Sequence, residues 1–171
     1  MAEFNSAENL NMNLAENLST DVMTGGLDER MFLYFRLSGS MKKADGVDII
    51  VSFLMESGVK MILKDLDQAL QRGAKIRILT GNYLGITQPS ALYLIKRKLG
   101  DQVDLRFYND PKRSFHPKAY MFHYATYSEM YIGSSNVSRS ALTSGIEWNY
   151  RFNSKTDPES YQKFYETFED L

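Results

Sequence analysis

The chain has 171 residues, 43% hydrophobic and 24% charged, with a formal net charge of −1; this is the profile of one globular domain with a real core, and it excludes a disordered or globally basic chain. It contains no cysteine, which excludes a disulfide framework and any thiolate metal site and leads us to expect a reducing, cytoplasmic setting. Runs such as Val47–Val51 are too short to span a bilayer, and the N-terminus lacks the basic start and apolar run of a signal peptide.

Residues 1–27 read as an arm or a short helix, with Leu10, Leu14 and Leu18 spaced four apart. The domain proper is expected over 28–171. Asp28 is a plausible N-cap for a helix reaching Lys43, weakened near Ser38-Gly39-Ser40. Val47 to Leu54 is short, β-branched and nearly continuous, the pattern of a buried strand. Val59, Ile62, Leu63, Leu66, Ala69 and Leu70 recur at helical spacing, and Gly73 ends that helix. Lys75–Thr80 is a second strand, Ala91–Leu99 a basic-faced helix closed by Gly100, and Val103–Tyr108 a third strand. This order argues for right-handed crossovers and a largely parallel core. Lys118–Tyr124 and Glu129–Gly133 then suit a hairpin, which makes the sheet mixed. A short helical turn at 138–142 precedes a last strand, Ile146–Phe152. Asp157-Pro158 opens a terminal helix with a stripe of Phe164, Tyr165 and Phe168. The expected fold class is α/β, a mixed central sheet flanked by helices on both faces.

His116 stands where a strand begins, and Lys118 follows two residues later, so both project from one face. An imidazole can attack phosphorus while a fixed ammonium stabilises the equatorial oxygens. The partner strand ends in Gly133-Ser134-Ser135-Asn136; antiparallel pairing returns it beside His116, where Ser134 and Asn136 supply donors for a phosphoryl oxygen. The last strand places Glu147 next in line, where a carboxylate accepting from one imidazole nitrogen would fix the tautomer. Lys112 and Arg113, just before His116, are candidates for phosphate attraction. Tyr83, in the loop after a parallel strand, could form a wall of the site. His123 lies at an odd offset from Lys118 and is expected to face away in a structural role. Two histidines with no carboxylate cluster make no metal site, so neither metal nor cofactor is expected.

At this point the residues carry a resemblance. His116-x-Lys118 followed by Gly133-Ser134-x-Asn136 resembles the histidine-lysine signature of the phospholipase D superfamily. That signature places an Asp five residues after the Lys, where this chain has His123. A Glu downstream of the Asn motif resembles metal-independent restriction endonucleases, and Glu147, eleven residues after Asn136, fits that arrangement. Over Val47–Phe152 the chain is similar to the phospholipase D-like domain at the N-terminus of bacterial helicase and restriction-type proteins.

The resemblance implies a phospholipase D-like fold, a phosphohistidine intermediate on His116, two motif copies meeting around one phosphate and hence a homodimer. It also implies a DNA substrate and helicase domains in a longer parent chain. A non-catalytic nucleic-acid-binding module of such a protein is the alternative, supported by the missing Asp. A lipid phosphodiesterase ranks last, because nothing in the chain looks like a membrane-binding surface.

Overall fold

The computed structural model describes residues 21–171 except Leu27. Seven strands form one sheet: β1 (Val22–Gly25), β2 (Gly46–Val51), β3 (Lys75–Thr80), β4 (Val103–Phe107), β5 (Lys118–His123), β6 (Ser128–Gly133) and β7 (Ile146–Asn153). Their order is β1-β7-β6-β5-β2-β3-β4. β2, β3 and β4 run parallel, while β5, β6, β7 and β1 pair antiparallel. The mixed sheet follows from connection lengths. Crossover helices join the parallel strands, and a four-residue connection forces β5 and β6 into a hairpin.

Helices α1 (Leu33–Met41), α2 (Glu56–Gln71) and α3 (Pro89–Leu99) cover one face with the short α4 (Arg139–Leu142). Leu37, Ile62, Leu66 and Ile95 pack there against Val47, Ile49, Tyr120 and Phe122. The other face is covered by α5 (Pro158–Glu169) alone, whose Tyr161 and Phe168 meet Ile50, Met121, Met130 and Phe152. β2 sits in the middle and is buried along its whole length, which is why its sequence is a run and not an alternation.

Three expectations need correction. Val22–Gly25 is not arm but an edge strand on β7; residues 1–20 lie outside the described part. The expected helix over 28–43 is broken at Phe32, not at Ser38-Gly39-Ser40. Asp28 caps a single turn, Glu29–Met31, and Phe32 is extended before α1 begins. α1 then runs unbroken through the weak helix formers, and the Ser40 hydroxyl donates to the buried Glu129 of β6. In α5 the buried stripe is set by Tyr161 and Phe168, while Phe164 is left 44% exposed.

His123 faces away from Lys118, toward α5. Its Nε2 contacts the carboxylate of Asp48 at 2.6 Å. Asp48 also receives a two-pronged ion pair from Arg77, both contacts 2.7 Å. Arg77 reaches on to Glu169 at 2.8 Å and lies over the Phe168 ring, 4.8 Å from its centre. This cluster pins α5 to the sheet. Burial pushes the Asp48 carboxyl up, but the hydrogen bonds from His123 and Arg77 outweigh it and hold the group below its ordinary value.

Candidate active site

The candidate groups collect where β2 ends and β5 begins. Val51 pairs with Lys118, and the Ser52 hydroxyl donates to the Pro117 carbonyl, 3.2 Å. Continuing that register sets Phe53 beside His116. Phe53 N–H donates to the Asn136 side-chain oxygen, 3.2 Å, and Leu54 bridges Val137. The loop after β6 is thus tied to the end of β2. Asn136 is buried with its oxygen committed, so its amide N–H₂ remains to donate, with no partner among the described residues.

Lys118 is buried and His116 exposed. The ammonium lies 3.0 Å from each imidazole nitrogen and also donates to the His116 carbonyl at 3.0 Å. Burial, then the Lys118 charge, hold the imidazole below the ordinary histidine range. Burial also lowers Lys118, opposed in part by the negative charge of Glu147. The Tyr83 ring packs on the imidazole with centres 4.3 Å apart. Tyr83 starts a tight turn in which Leu84 and Gly85 have φ of 51° and 73°. Behind His116, Phe115 stacks on Tyr108 at 4.5 Å and lies against Gly81, where a Cβ would come within 2.7 Å of its ring. A side chain at position 81 would therefore displace the residue next to His116.

On the other side, Ser134 is clamped to β7. Its backbone N–H donates to the Trp148 carbonyl and its hydroxyl accepts from Trp148 N–H, both 3.0 Å, and the hydroxyl donates to the Glu147 carboxylate. Gly133 allows this approach: a Cβ there would lie 2.1 Å from the Trp148 carbonyl oxygen.

A protein-family model described as "Cardiolipin synthase, PLD-like domain" matches residues 38–171. The chain belongs to the PLD-like domain family. Among solved structures, this PLD-like domain is similar to Nuc from Salmonella typhimurium, described as a phospholipase D family member. The identity is 19% and the TM-score 0.62, covering 85% of this chain and 91% of that one. NucT from Helicobacter pylori gives 15% identity and a TM-score of 0.61, covering 84% and 90%. Polyphosphate kinase from Porphyromonas gingivalis gives 15% and 0.54, covering 77% and 23%. At these identities the likeness shows a shared fold. No curated protein sequence matches the chain.

The PLD-like domain brings His116, Lys118 and Tyr83 into direct contact and sets Ser134 beside Glu147. The expected bond from Glu147 to the imidazole is absent. Glu147 lies on β7, two strands from β5, which is about 10 Å across the sheet, and it spends its carboxylate on Ser134. Its charge reaches Lys118 instead. Lys112 and Arg113 are not drawn in: both are exposed, and Arg113 faces Asp110 at 3.8 Å. Arg113 and Tyr83 do line one shallow cleft of about 410 Å³. Ser52, Phe53 and Phe115 are supports that residue type alone did not reveal; only the register of β2 on β5 discloses them. Among the described residues no group of three or more His, Cys, Asp or Glu could hold a metal.

Proposed function

We propose that this PLD-like domain is a metal-independent phosphodiesterase, a DNA nuclease acting through a phosphohistidine. The observation that carries the proposal is the Lys118 ammonium 3.0 Å from both imidazole nitrogens. It keeps the ring neutral, hence nucleophilic, and places a positive charge where phosphoryl oxygens would sit. A His116 nitrogen attacks phosphorus, and the bond from phosphorus to the leaving oxygen breaks. The His116 imidazolium of a second copy gives that oxygen its proton. Water, giving its proton to the now neutral imidazole of the second copy, then attacks phosphorus; the nitrogen–phosphorus bond breaks and both rings return to their starting states. The Asn136 amide and Lys118 bind the non-bridging oxygens, and Glu147, which accepts from the Ser134 hydroxyl, braces the loop and balances Lys118. DNA as substrate and a parent chain with helicase domains rest on the sequence resemblance.

Activity is measured on DNA and on cardiolipin vesicles in excess chelator. Hydrolysis of DNA is expected to persist; activity that vanishes and returns with magnesium overturns the mechanism, and turnover of the lipid alone overturns the substrate. The alternative of a non-catalytic binding module draws on His123 at the position of the family's Asp. The partnership of His123 with Asp48 on the far face speaks for a structural role at that position.

A pH profile checks the Lys118 contact. One His116 must be neutral to attack and the other protonated to donate, and both are lowered alike, so kcat/KM should be bell-shaped with its optimum below about 6.5, the ordinary histidine value. Lys118→Met removes the repelling charge. Turnover should fall roughly 10²–10³-fold, the usual cost of losing one charge-stabilising donor, and the acid limb should move to higher pH. A profile unmoved by the substitution would mean that the two groups are not coupled.

A further inference from the structure

The turn that bears Tyr83 and the chain just before His116 enclose the cleft of about 410 Å³. Tyr83 lines it and His116 does not. The Tyr83 ring, 4.3 Å from the imidazole centre to centre, is therefore the partition between the cleft and the point of attack. Tyr108 and Phe115, stacked 4.5 Å apart, form a second wall. Phe107, 45% exposed, and Leu84, 79% exposed, stand at the rim. Leu84 is held there at φ 51°, a conformation that strains a leucine backbone and that burial of its side chain does not offset.

These walls select the occupant. The volume is that of a small-ligand pocket, and aromatic walls suit a flat ring. Two amides supply the polar part. Asn82 and Asn109 line the cleft, are exposed, and make no side-chain hydrogen bond among the described residues. Each offers two donors and an acceptor, the groups that the edge of a nucleobase answers. An aliphatic chain would strip water from both amides and return no hydrogen bond, and a bare phosphate would have no use for the rings. The carboxylate on the lining, Asp110, is already engaged: it accepts from the Lys112 backbone N–H at 2.9 Å and faces Arg113 at 3.8 Å. Reach fits as well. A base stacked on Tyr83 has its centre two ring steps from the imidazole, no more than about 11 Å, and the sugar and phosphate of one nucleotide span that gap.

We propose that this cleft seats an unpaired nucleobase, the base of a nucleotide that carries the phosphate His116 attacks. Phe107, Leu84 and Tyr83 hold its faces, and Asn82 and Asn109 meet its edge. The inference rests on the phosphodiesterase reading and narrows its substrate. In a duplex each base is stacked on both faces and paired along its edge, so it enters the cleft only by giving up both. A single strand enters without that cost. Cleavage should therefore favour unpaired DNA, and the seated base, more than the backbone, should place the phosphate against the imidazole.

The test uses the full 171-residue chain and small phosphodiesters whose scissile phosphate is fixed. These are the 3′ and 5′ p-nitrophenyl phosphodiesters of deoxyadenosine, each beside the same ester with hydrogen in place of the base. For the ester whose base reaches the cleft, kcat/KM should exceed that of its base-free counterpart by about 5- to 150-fold, the range for one stacked base. Phe107→Ala and Asn109→Ala should each shrink that ratio while melting as wild type does. Should Phe107→Ala misfold, Asn109→Ala, on an exposed loop, carries the comparison alone. Calorimetry with a single-stranded trinucleotide and its base-free sugar-phosphate counterpart follows binding apart from turnover. Equal rates on both ester pairs, or a ratio that neither substitution changes, overturns the base site and leaves the chemistry standing. No turnover of any ester, with the trinucleotide still preferred and that preference lost in Asn109→Ala, upholds the site and overturns the chemistry. Equal affinities for the two trinucleotides overturn the site whatever the rates.

Discussion

Replacing His116 with alanine is expected to lower phosphodiester hydrolysis by on the order of 10⁴-fold, because no other group of this chain can take the same position. The second histidine is committed to Asp48 on the opposite face of the sheet. Lys118 sits beside the ring, but its charge is needed on the phosphoryl oxygens, and a protonated amine is no nucleophile. The fold should not suffer. His116 is exposed, and the contacts its side chain makes are to Tyr83 and Lys118 among the described residues, so the melting temperature should stay within a few degrees. Substrate binding should survive as well, since Asn136 and Lys118 remain. The measurement is single-turnover cleavage of a labelled oligonucleotide alongside its dissociation constant. A variant that cleaves within ten-fold of wild type ends the case for His116. A wild type that binds but never cleaves favours the binding-module reading.

The second large effect is on stability. Arg77→Met should destabilise the fold by about 3–5 kcal/mol, the range for breaking a buried ion pair, and lower the melting temperature by roughly 10 °C. Asp48 is 2% exposed, and without Arg77 its carboxylate keeps only the imidazole of His123. The tether from Arg77 to Glu169 of α5 goes too. The pH dependence has a defined sign. Asp48 is held below its ordinary carboxylate value, so its contribution is complete above about pH 4, the unfolded value, and is lost as pH falls through the lower folded value. Arg77→Met removes one cause of the lowering and should move acid unfolding to higher pH. Urea unfolding at pH 7 and pH 4 measures both effects. A loss under about 1 kcal/mol at pH 7, a typical surface pair, would show that the cluster does not hold α5.

The parallel half of the sheet was legible because its strands are β-branched runs and its helices stop at Gly73 and Gly100, both with positive φ. The contact between His116 and Lys118 was legible because a spacing of two shares a face wherever a strand holds. What escaped depended on partners far away in sequence. Ser38-Gly39-Ser40 looks like a helix breaker until Ser40 meets Glu129, 89 residues on. Val22–Gly25 is too short to read as a strand before β7 is there to pair with it. Asn136 reads as a turn residue, and its anchor on Phe53, 83 residues back, has no local trace. Glu147 was rightly assigned to the next strand in line, but the Ser134 hydroxyl reaches its carboxylate before any imidazole can.

The position of β2 has a consequence for how the protein is made. All six of its residues are buried, and its two neighbours come from opposite directions along the chain: β3 pairs parallel and β5 antiparallel. Val51 must wait for Lys118, 67 residues later, which at about 5–20 residues per second is roughly 3–13 s of ribosome time. Through that interval the nascent domain shows a bare strand edge, apolar but for Asp48, the kind that recruits strands from other chains. Slower initiation, lower temperature or a holding chaperone should therefore raise the soluble yield more than any change at the finished surface, because the vulnerable moment comes before His116 has left the ribosome.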